Sequence, residues 1–169
     1  PSLDISHMLR YARRALTDFK DDCSWTDNDI NFYIAALELV LTNSYARFAD
    51  DVYKQVVGSA MGLHLIPHLA NIYMYYAIDI KFKDNHLLYL RLIDDVLLLS
   101  DKSTDVVTSL IADMNDPHKS GHGELKFTSE LDSLLLPFLD LKIYLGARFR
   151  RTGHVDTCVY QKPLNVYQY

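Results

Sequence analysis

The chain has little cysteine, and this argues against two classes of protein. Its 169 residues include only two cysteines, Cys23 and Cys158, which do not form a Cys-x-x-Cys pair. A disulfide-built scaffold would need more cysteines, and a thiolate zinc site would need them in closely spaced pairs. We therefore expect a reducing, intracellular setting, with no signal that distinguishes the nucleus from the cytoplasm.

Long apolar runs are also missing. No stretch approaches the roughly 18 consecutive apolar residues of a membrane-spanning helix, and the first residues lack the charged and apolar regions of a signal peptide. At 49% hydrophobic residues, the chain still has enough apolar material for the core of one domain. We therefore expect a soluble domain without a membrane partner, and nothing in the sequence indicates its oligomeric state.

The chain also lacks an excess of positive charge. The net charge of −5 at pH 7 argues against a free-standing nucleic-acid-binding protein, because phosphate contacts need clustered Lys and Arg. Two local basic groups exist, and for both a solvated face and a phosphate contact remain open alternatives. The first consists of Arg10, Arg13 and Arg14, whose three- and four-residue spacing places them on one face of a predicted helix. The second lies near the C-terminus and consists of Arg148, Arg150, Arg151 and His154.

Hydrophobic periodicity predicts a helical first part of the chain. Apolar residues recur at three- and four-residue spacing over residues 5–19, and a second helix is predicted to begin with Thr26 or Asp27 as its N-cap. Aromatic and β-branched residues over 45–57 predict a short extended or hairpin segment. A third helix is predicted to begin at Pro67, because proline suits a first helical turn.

The second part of the chain is predicted to be rich in strands. The apolar runs 87–93 and 96–100 are separated only by Asp94 and Asp95, which indicates a β-hairpin with an acidic tip. After a helix over 104–114, strands are predicted near the segments LKFTSE, FLDLKIYL and VDTCVYQK. Neither an internal repeat nor a low-complexity segment is apparent. Helices that pack on one face of an antiparallel sheet make an α+β fold.

The acidic tip of the hairpin has a chemical explanation. Two-residue turns favour Asn-Gly or Asp-Gly, and neighbouring carboxylates repel by roughly 3 to 4 kcal/mol at an effective dielectric near 20. A cation between Asp94 and Asp95 would relieve this repulsion, and oxygen ligands suit Mg²⁺ or Mn²⁺. A merely solvated acidic turn is the alternative. The acidic pocket of a response-regulator receiver is excluded by topology, because a second apolar strand follows the pair at once.

The hairpin segment YLRLIDDVLLL resembles the Y-x-D-D motif of reverse transcriptases, with Leu92-Ile93-Asp94-Asp95 at the motif. Upstream, YKQVVGSAMGLHLIPHLANIYM is similar to the second palm motif, in the form seen in Penelope-like retroelements. Downstream, LKFTSE and FLDLKIYLGARFRRTGHVDTCVYQKPLNVYQY resemble the fourth and fifth motifs. The resemblance covers nearly the whole chain in the family's order, and it implies a polymerase palm with a ferredoxin-like or RRM-like antiparallel core.

The resemblance also implies roles for individual residues. Asp94 and Asp95 would be catalytic carboxylates that hold two Mg²⁺ or Mn²⁺ ions, while a primer 3′-hydroxyl attacks the α-phosphorus of a deoxynucleoside triphosphate. Lys126 would approach the leaving pyrophosphate. The residues that would meet the template base or the incoming nucleotide are Gln55, Gly58, Met61 and Gly62. The partners would be an RNA or DNA template with its primer, and the sequence does not distinguish the two templates.

The sequence departs from the family pattern at several points. Leu92 stands where an aromatic residue is usual, and Ile66 stands where serine is usual. The segment PSLDISHML resembles the stretch just after the first palm motif, so the third carboxylate would fall before Pro1, and Asp4 suits a helix cap better than a metal ligand. We therefore expect residues 1–169 to be a palm incomplete at both ends, without fingers or thumb and inactive alone.

A second interpretation remains open, namely a non-catalytic palm-like module that scaffolds nucleic acid or protein. Leu92 and the acidic net charge favour it, whereas the intact aspartate pair favours the polymerase. Alternatives also remain for single residues. Gly58 and Gly62 suit an ordinary turn before a helix, and Lys126 suits a solvated position on a strand.

Overall fold

The computed structural model describes residues 3–56, 58, 62–84, 86–120, 125–132 and 134–161. The chain divides into two compact units, the first formed by Pro1–Asn85 and Thr108–Phe127, the second by His86–Val107 and Thr128–Tyr169. Helices are combined with small antiparallel sheets, which confirms the α+β class. The predicted single sheet is replaced by three separate sheets in the described residues.

The first unit combines helices with one β-hairpin. Its elements are α1 (Ile5–Asp18), α2 (Asp27–Thr42), β1 (Tyr45–Phe48), β2 (Asp51–Lys54), α3 (Ile66–Met74), a π-helical segment (Tyr75–Asp79), α4 (Ile80–Phe82), most of α5 (Thr104–Asn115) and α6 (Pro117–Ser120). The predicted helices are confirmed, and the segment predicted as extended or hairpin over 45–57 contains the hairpin of β1 and β2. The continuous run of α3, the π-helical segment and α4 extends further than the sequence predicted.

Local sequence signals set the starts of the helices. Asp4 caps α1, since its Oδ1 accepts a hydrogen bond from the backbone N–H of Ser6 at 2.6 Å, as the cap interpretation predicted. Thr26 and Asp29 form a reciprocal capping box at the start of α2, with the Asp29 carboxylate accepting from the Thr26 N–H at 2.8 Å. Pro67 lies in the first turn of α3, which begins one residue earlier than predicted.

Aromatic side chains form the centre of the first unit's core. The Tyr11 ring on α1 meets Tyr73 on α3 edge-on, with ring centroids 5.1 Å apart, and stacks against Tyr76 at 6.2 Å. Tyr73, Ala77 and Ile78 have no exposed surface. The buried face of α1 is thereby fixed against α3 and the π-helical segment.

A polar contact completes this packing. The Tyr76 hydroxyl donates to Asp18 Oδ2 at 2.7 Å, and the Arg14 guanidinium lies over the Tyr76 ring, 4.7 Å from its centroid. Arg14 Nε also lies 3.9 Å from Asp18 Oδ2. Burial, and next the hydrogen bond to Asp18, raise the pKa of Tyr76 to about 12.

The helices α1, α2 and α3 leave an apolar groove between them. It has a volume of about 670 Å³ and is lined by side chains of α1, α2 and α3 together with Trp25. Trp25 packs against Tyr33 with ring centroids 5.5 Å apart. Because Trp25 is the only tryptophan of the chain, its fluorescence reports the folding of this unit.

The second unit is built from strands and one short helix. Its elements are β3 (Leu88–Leu92), β4 (Asp95–Leu99), β5 (Leu135–Phe138), β6 (Leu141–Tyr144), α7 (Ala147–Thr152) and β7 (Asp156–Val159). The strands β3 and β4 form one antiparallel hairpin, and β5, β6 and β7 form a three-stranded antiparallel sheet in that order. The predicted strand in VDTCVYQK is confirmed as β7.

One strand prediction was wrong, and the bounds of another were imprecise. The segment 125–130 forms no strand, because Leu125 and Phe127 pack against the helical core. The Asn115 side chain forms hydrogen bonds with both the N–H and the carbonyl oxygen of Phe127. A strand predicted near FLDLKIYL is present as β6, but Phe138 at the start of that segment is the end of β5, because Leu139 adopts φ +57° and the chain reverses there. The short helix α7 was not predicted.

We expect Tyr76→Phe to lower the free energy of unfolding by about 1.5 kcal/mol at neutral pH, because a hydrogen bond to a charged group is lost. The pKa of Tyr76 is higher in the folded state than its ordinary value near 10. Its contribution to stability is therefore complete below about pH 10 and is lost as the pH rises towards about 12. Urea unfolding followed by Trp25 fluorescence measures both effects.

The matched control is Tyr75→Phe, which removes a hydroxyl from an exposed side chain next in sequence. It should leave the unfolding free energy within about 0.5 kcal/mol of the parent chain, as for most surface changes. A difference between the parent and Tyr76→Phe that stays constant up to about pH 12 would contradict the assigned cause.

Candidate metal site at an acidic hairpin turn

The turn between β3 and β4 is displaced by one residue from the prediction. Leu92 pairs with Asp95, so the two central residues are Ile93 and Asp94, and Asp95 is already the first residue of β4. The positive φ that such a turn requires falls on Ile93, at +57°. Arg91 Nη1 donates to the Ile93 carbonyl oxygen at 2.8 Å and supports the turn.

This register sets the surroundings of the two carboxylates. Asp94 lies on the turn, whereas Asp95 lies directly across from Leu92 and shares its face of the hairpin, since opposite residues on antiparallel strands point the same way. Both aspartates are exposed. Their oxygens are therefore accessible to a cation from solvent, and their donor chemistry fits Mg²⁺ or Mn²⁺.

The other predicted site residues do not belong to the hairpin unit. Gln55, Gly58, Gly62 and Lys126 lie in the first unit, and Met61 lies outside the described residues. The backbone N–H of Gln55 donates to the Ser44 carbonyl oxygen at 2.9 Å, which continues the β1–β2 pairing by one step. Asp94 and Asp95 are thus neighbours in the second unit, whereas the four other described residues of the predicted site belong to the first.

The two glycines differ in what the fold requires of them. Gly58 adopts φ +72°, a region that other residues enter only at a cost in free energy, so the backbone itself favours glycine there. A Cβ added at Gly62 would meet no described atom within 4 Å. Crowding by the described residues therefore gives no reason for glycine at position 62, whereas a ligand that approaches the backbone closely would give one.

Lys126 is held at a defined position although it forms no part of a strand. Asn115 Nδ2 donates to the Phe127 carbonyl oxygen at 2.9 Å, and Asn115 Oδ1 accepts from the Phe127 N–H at 2.7 Å. The neighbours Leu125 and Phe127 are half-buried against the core, whereas Lys126 is exposed. Its side chain is therefore directed away from the core.

The structure reveals a short internal repeat that the sequence analysis missed. Residues 47–52 read RFADDV and residues 91–96 read RLIDDV. In the first copy Phe48 pairs with Asp51, Ala49 adopts φ +52°, and Arg47 Nε donates to the Ala49 carbonyl oxygen at 3.0 Å. The spacing Arg-x-x-Asp-Asp-Val is the signal that could have identified it.

The repeat means that an aspartate pair on such a turn is not unique to the predicted site. In the first copy Asp50 and Asp51 are also exposed, and Arg47 Nη2 lies 3.8 Å from Asp50 Oδ1. The two hairpins differ in how they are anchored, since Leu97 of β4 is buried whereas every residue of β1 and β2 is exposed. Among the described residues, no three His, Cys, Asp or Glu side chains are grouped to hold a metal ion.

No protein-family model, curated protein or solved structure matches this chain. Within the described ranges, no helix is both long enough and apolar enough to cross a membrane. The reverse-transcriptase resemblance therefore rests on the motifs of the chain itself and stays a prediction.

Substitution of the two glycines separates a backbone requirement from a ligand requirement. We expect Gly58→Ala to lower the free energy of unfolding by about 1 to 2 kcal/mol, because a left-handed conformation is costly for alanine. Gly62→Ala should leave it unchanged or raise it by up to about 1 kcal/mol. Urea unfolding measures both, and a loss of stability in Gly62→Ala as large as in Gly58→Ala would contradict this distinction.

Proposed function

We propose that this chain is the palm part of a reverse transcriptase, an RNA-directed DNA polymerase that adds nucleotides to a primer 3′-hydroxyl. The observation that carries the proposal is the pair of exposed carboxylates, Asp94 and Asp95, at the tip of an anchored antiparallel hairpin. The order of the sequence motifs around this hairpin supports it. So does the left-handed conformation of Gly58 in the segment that resembles the second palm motif.

Nucleotidyl transfer relies mainly on position and charge. Divalent ions, when bound, would neutralise the triphosphate and stabilise the attacking and leaving oxygens. Asp94 and Asp95 supply hard oxygen donors for such ions. The strand register and the hydrogen bond from Arg91 to the Ile93 carbonyl group fix the backbone that carries these donors.

In this proposal the residues of the first unit act on the nucleotide and the template. Gln55, Gly58 and Gly62 would meet the base pair, where a backbone without side chains allows close approach. Lys126 would supply positive charge or a proton to the leaving pyrophosphate. Its outward direction, set by the hydrogen bonds of Asn115 to Phe127, leaves the ammonium group free to reach a ligand.

A non-catalytic palm-like module is the second candidate, and the repeat at residues 47–52 favours it. The chain forms an acidic turn of the same shape at Asp50 and Asp51, where the resemblance assigns no metal. Leu92, which stands where the family usually has an aromatic residue, also favours the non-catalytic module. A measurement that distinguishes the two turns therefore distinguishes the two functions.

Titration with Mn²⁺, followed by paramagnetic broadening of backbone amide resonances, makes this distinction. We expect saturable broadening centred on residues 93–96 that Asp94→Asn with Asp95→Asn abolishes. The matched control, Asp50→Asn with Asp51→Asn, removes the same charge from the other turn and should leave that broadening unchanged. Calorimetric titration with Mg²⁺ should give at least about a tenfold weaker affinity, or about 1.4 kcal/mol, for the first double variant only.

Equal broadening at both turns would mean that any aspartate pair on this turn attracts the ion weakly. That result, or broadening at neither turn, would remove the metal role of Asp94 and Asp95 and favour the scaffold. Circular dichroism should be unchanged in both double variants, since each substitution exchanges exposed groups of similar shape.

A further inference from the structure

Three arginines lie within the six residues of α7, namely Arg148, Arg150 and Arg151. All three are exposed, on a chain whose net charge is −5. None of their guanidinium groups forms an ion pair or hydrogen bond with another residue in the described part of the chain. Among the described residues of its unit, this concentration of positive charge therefore stabilises no side-chain contact.

The other basic group identified in the sequence is engaged within the first unit. Arg13 Nη1 donates to Asn31 Oδ1 at 2.8 Å, and Arg14 lies over the Tyr76 ring. Several other surface cations have a carboxylate partner, and these pairs are Lys20 with Asp27, Arg47 with Asp50, Lys102 with Asp101 and Lys119 with Asp113. The arginines of α7 are therefore available to an external anion, as three positive charges on one short helix.

The helix α7 is held firmly between two paired strands. β6 and β7 on either side of it are in register, with Tyr144 opposite Asp156. The helix ends at Gly153, which adopts φ +73° and donates its N–H to the Phe149 carbonyl oxygen at 2.8 Å. A Cβ at Gly146, just before the helix, would overlap the Asp156 carboxylate. The arginines are thus presented on an ordered backbone, which lowers the entropic cost of binding.

We propose that α7 is a docking surface for the phosphate backbone of a nucleic acid, with Arg148, Arg150 and Arg151 contacting phosphate oxygens. The guanidinium fork matches phosphate geometry and stays charged at any physiological pH. Arg148 and Arg151 are three residues apart and share a face, while Arg150 covers the adjacent one, so the group can contact successive phosphates along one strand. The negative net charge of the chain opposes this contact only weakly, because salt screens distant charges and the three arginines lie together.

The chemistry of α7 favours nucleic acid over a membrane surface. A membrane-surface helix needs a continuous apolar face, whereas α7 offers one large apolar side chain, Phe149, which is 36% exposed. A single aromatic ring between arginines suits stacking with a base or sugar instead. The choice of an RNA–DNA hybrid as ligand rests on the proposed function, since that hybrid would be its product.

Fluorescence anisotropy with a labelled RNA–DNA hybrid of about 20 base pairs tests the docking surface. Binding is measured in EDTA at several salt concentrations between about 20 and 200 mM, because each lost phosphate contact changes the salt dependence. We expect Arg148→Gln, Arg150→Gln and Arg151→Gln together to weaken binding at least about tenfold at low salt. The slope of log K against log salt should become shallower by about 2 to 3, as expected for three phosphates.

The matched control removes three surface charges elsewhere, through Arg47→Gln, Lys102→Gln and Lys119→Gln. It lowers the net charge by the same amount and should change the salt slope by less than about 0.5. Replacement of the three α7 arginines by lysine should keep the slope, because the charges remain. Equal weakening in both glutamine variants, or no binding of the parent chain to the hybrid, would overturn the proposal.

Vesicles of phosphatidylcholine with phosphatidylserine provide the other anionic ligand. Binding to vesicles but not to the hybrid, lost with the α7 glutamine variant, would assign the surface to membranes and overturn the nucleic-acid proposal. The test is also independent of the metal site, since EDTA removes divalent ions. Hybrid binding through α7 without Mn²⁺ binding at Asp94 and Asp95 would support the docking surface and contradict the polymerase proposal. Mn²⁺ binding at Asp94 and Asp95 without hybrid binding through α7 would contradict only the docking surface.

Discussion

A two-residue hairpin turn places its first central residue at positive φ, and the described part of this chain meets that demand three times without glycine. The residues that adopt this conformation are Ala49, Ile93 and Leu139, and an aspartate follows each of them. Each such position costs about 1 to 2 kcal/mol, which pairing and packing of the strands must offset. Because the turn fixes the register, it also decides on which face of the hairpin every side chain of β3 and β4 lies.

The two units differ in how their charged side chains are neutralised. In the first unit, the charged groups of α1 are neutralised or covered by neighbours, as in the contact of Arg14 with Tyr76 and Asp18. In the second unit, the exposed charges without such cover include the aspartates at the turn of the β3–β4 hairpin and the arginines of α7. A chain of acidic net charge can thereby offer one surface for cations and another for anions.

The long helices could be predicted from the sequence because their periodicity and their caps agree. Thr26 with Asp29, and Asp4 with Ser6, act within a few residues, so no tertiary contact is needed to identify them. The turns could not be predicted in the same way. Leu139 lies in a continuous apolar run, and Ile93 is β-branched, so neither has the residue type that usually marks a positive φ.

Tertiary packing accounts for the other differences. Alternation over 125–130 is typical of a strand, yet here Leu125 and Phe127 alternate because they pack on helices, and Asn115 replaces a neighbouring strand as hydrogen-bond partner. The helix α7 is too short for periodicity to indicate it. The aspartate pair was identified from the sequence, but its register was one residue off because Ile93 was assigned to the strand.

The repeated acidic turn bears on what makes a carboxylate pair a site. Residues 47–52 and 91–96 share residue types, register and the arginine contact to the turn, so these features alone cannot give one turn a function that the other lacks.

The two turns differ in the burial of the strands that carry them. Leu97 is 3% exposed and anchors β4, whereas all of β1 and β2 is exposed. An anchored hairpin presents its oxygens in one arrangement, and a cation then binds without the cost of ordering them. The two turns offer the same donor atoms. Tighter metal binding at Asp94 and Asp95 than at Asp50 and Asp51 would therefore reflect the anchoring of β4 by Leu97.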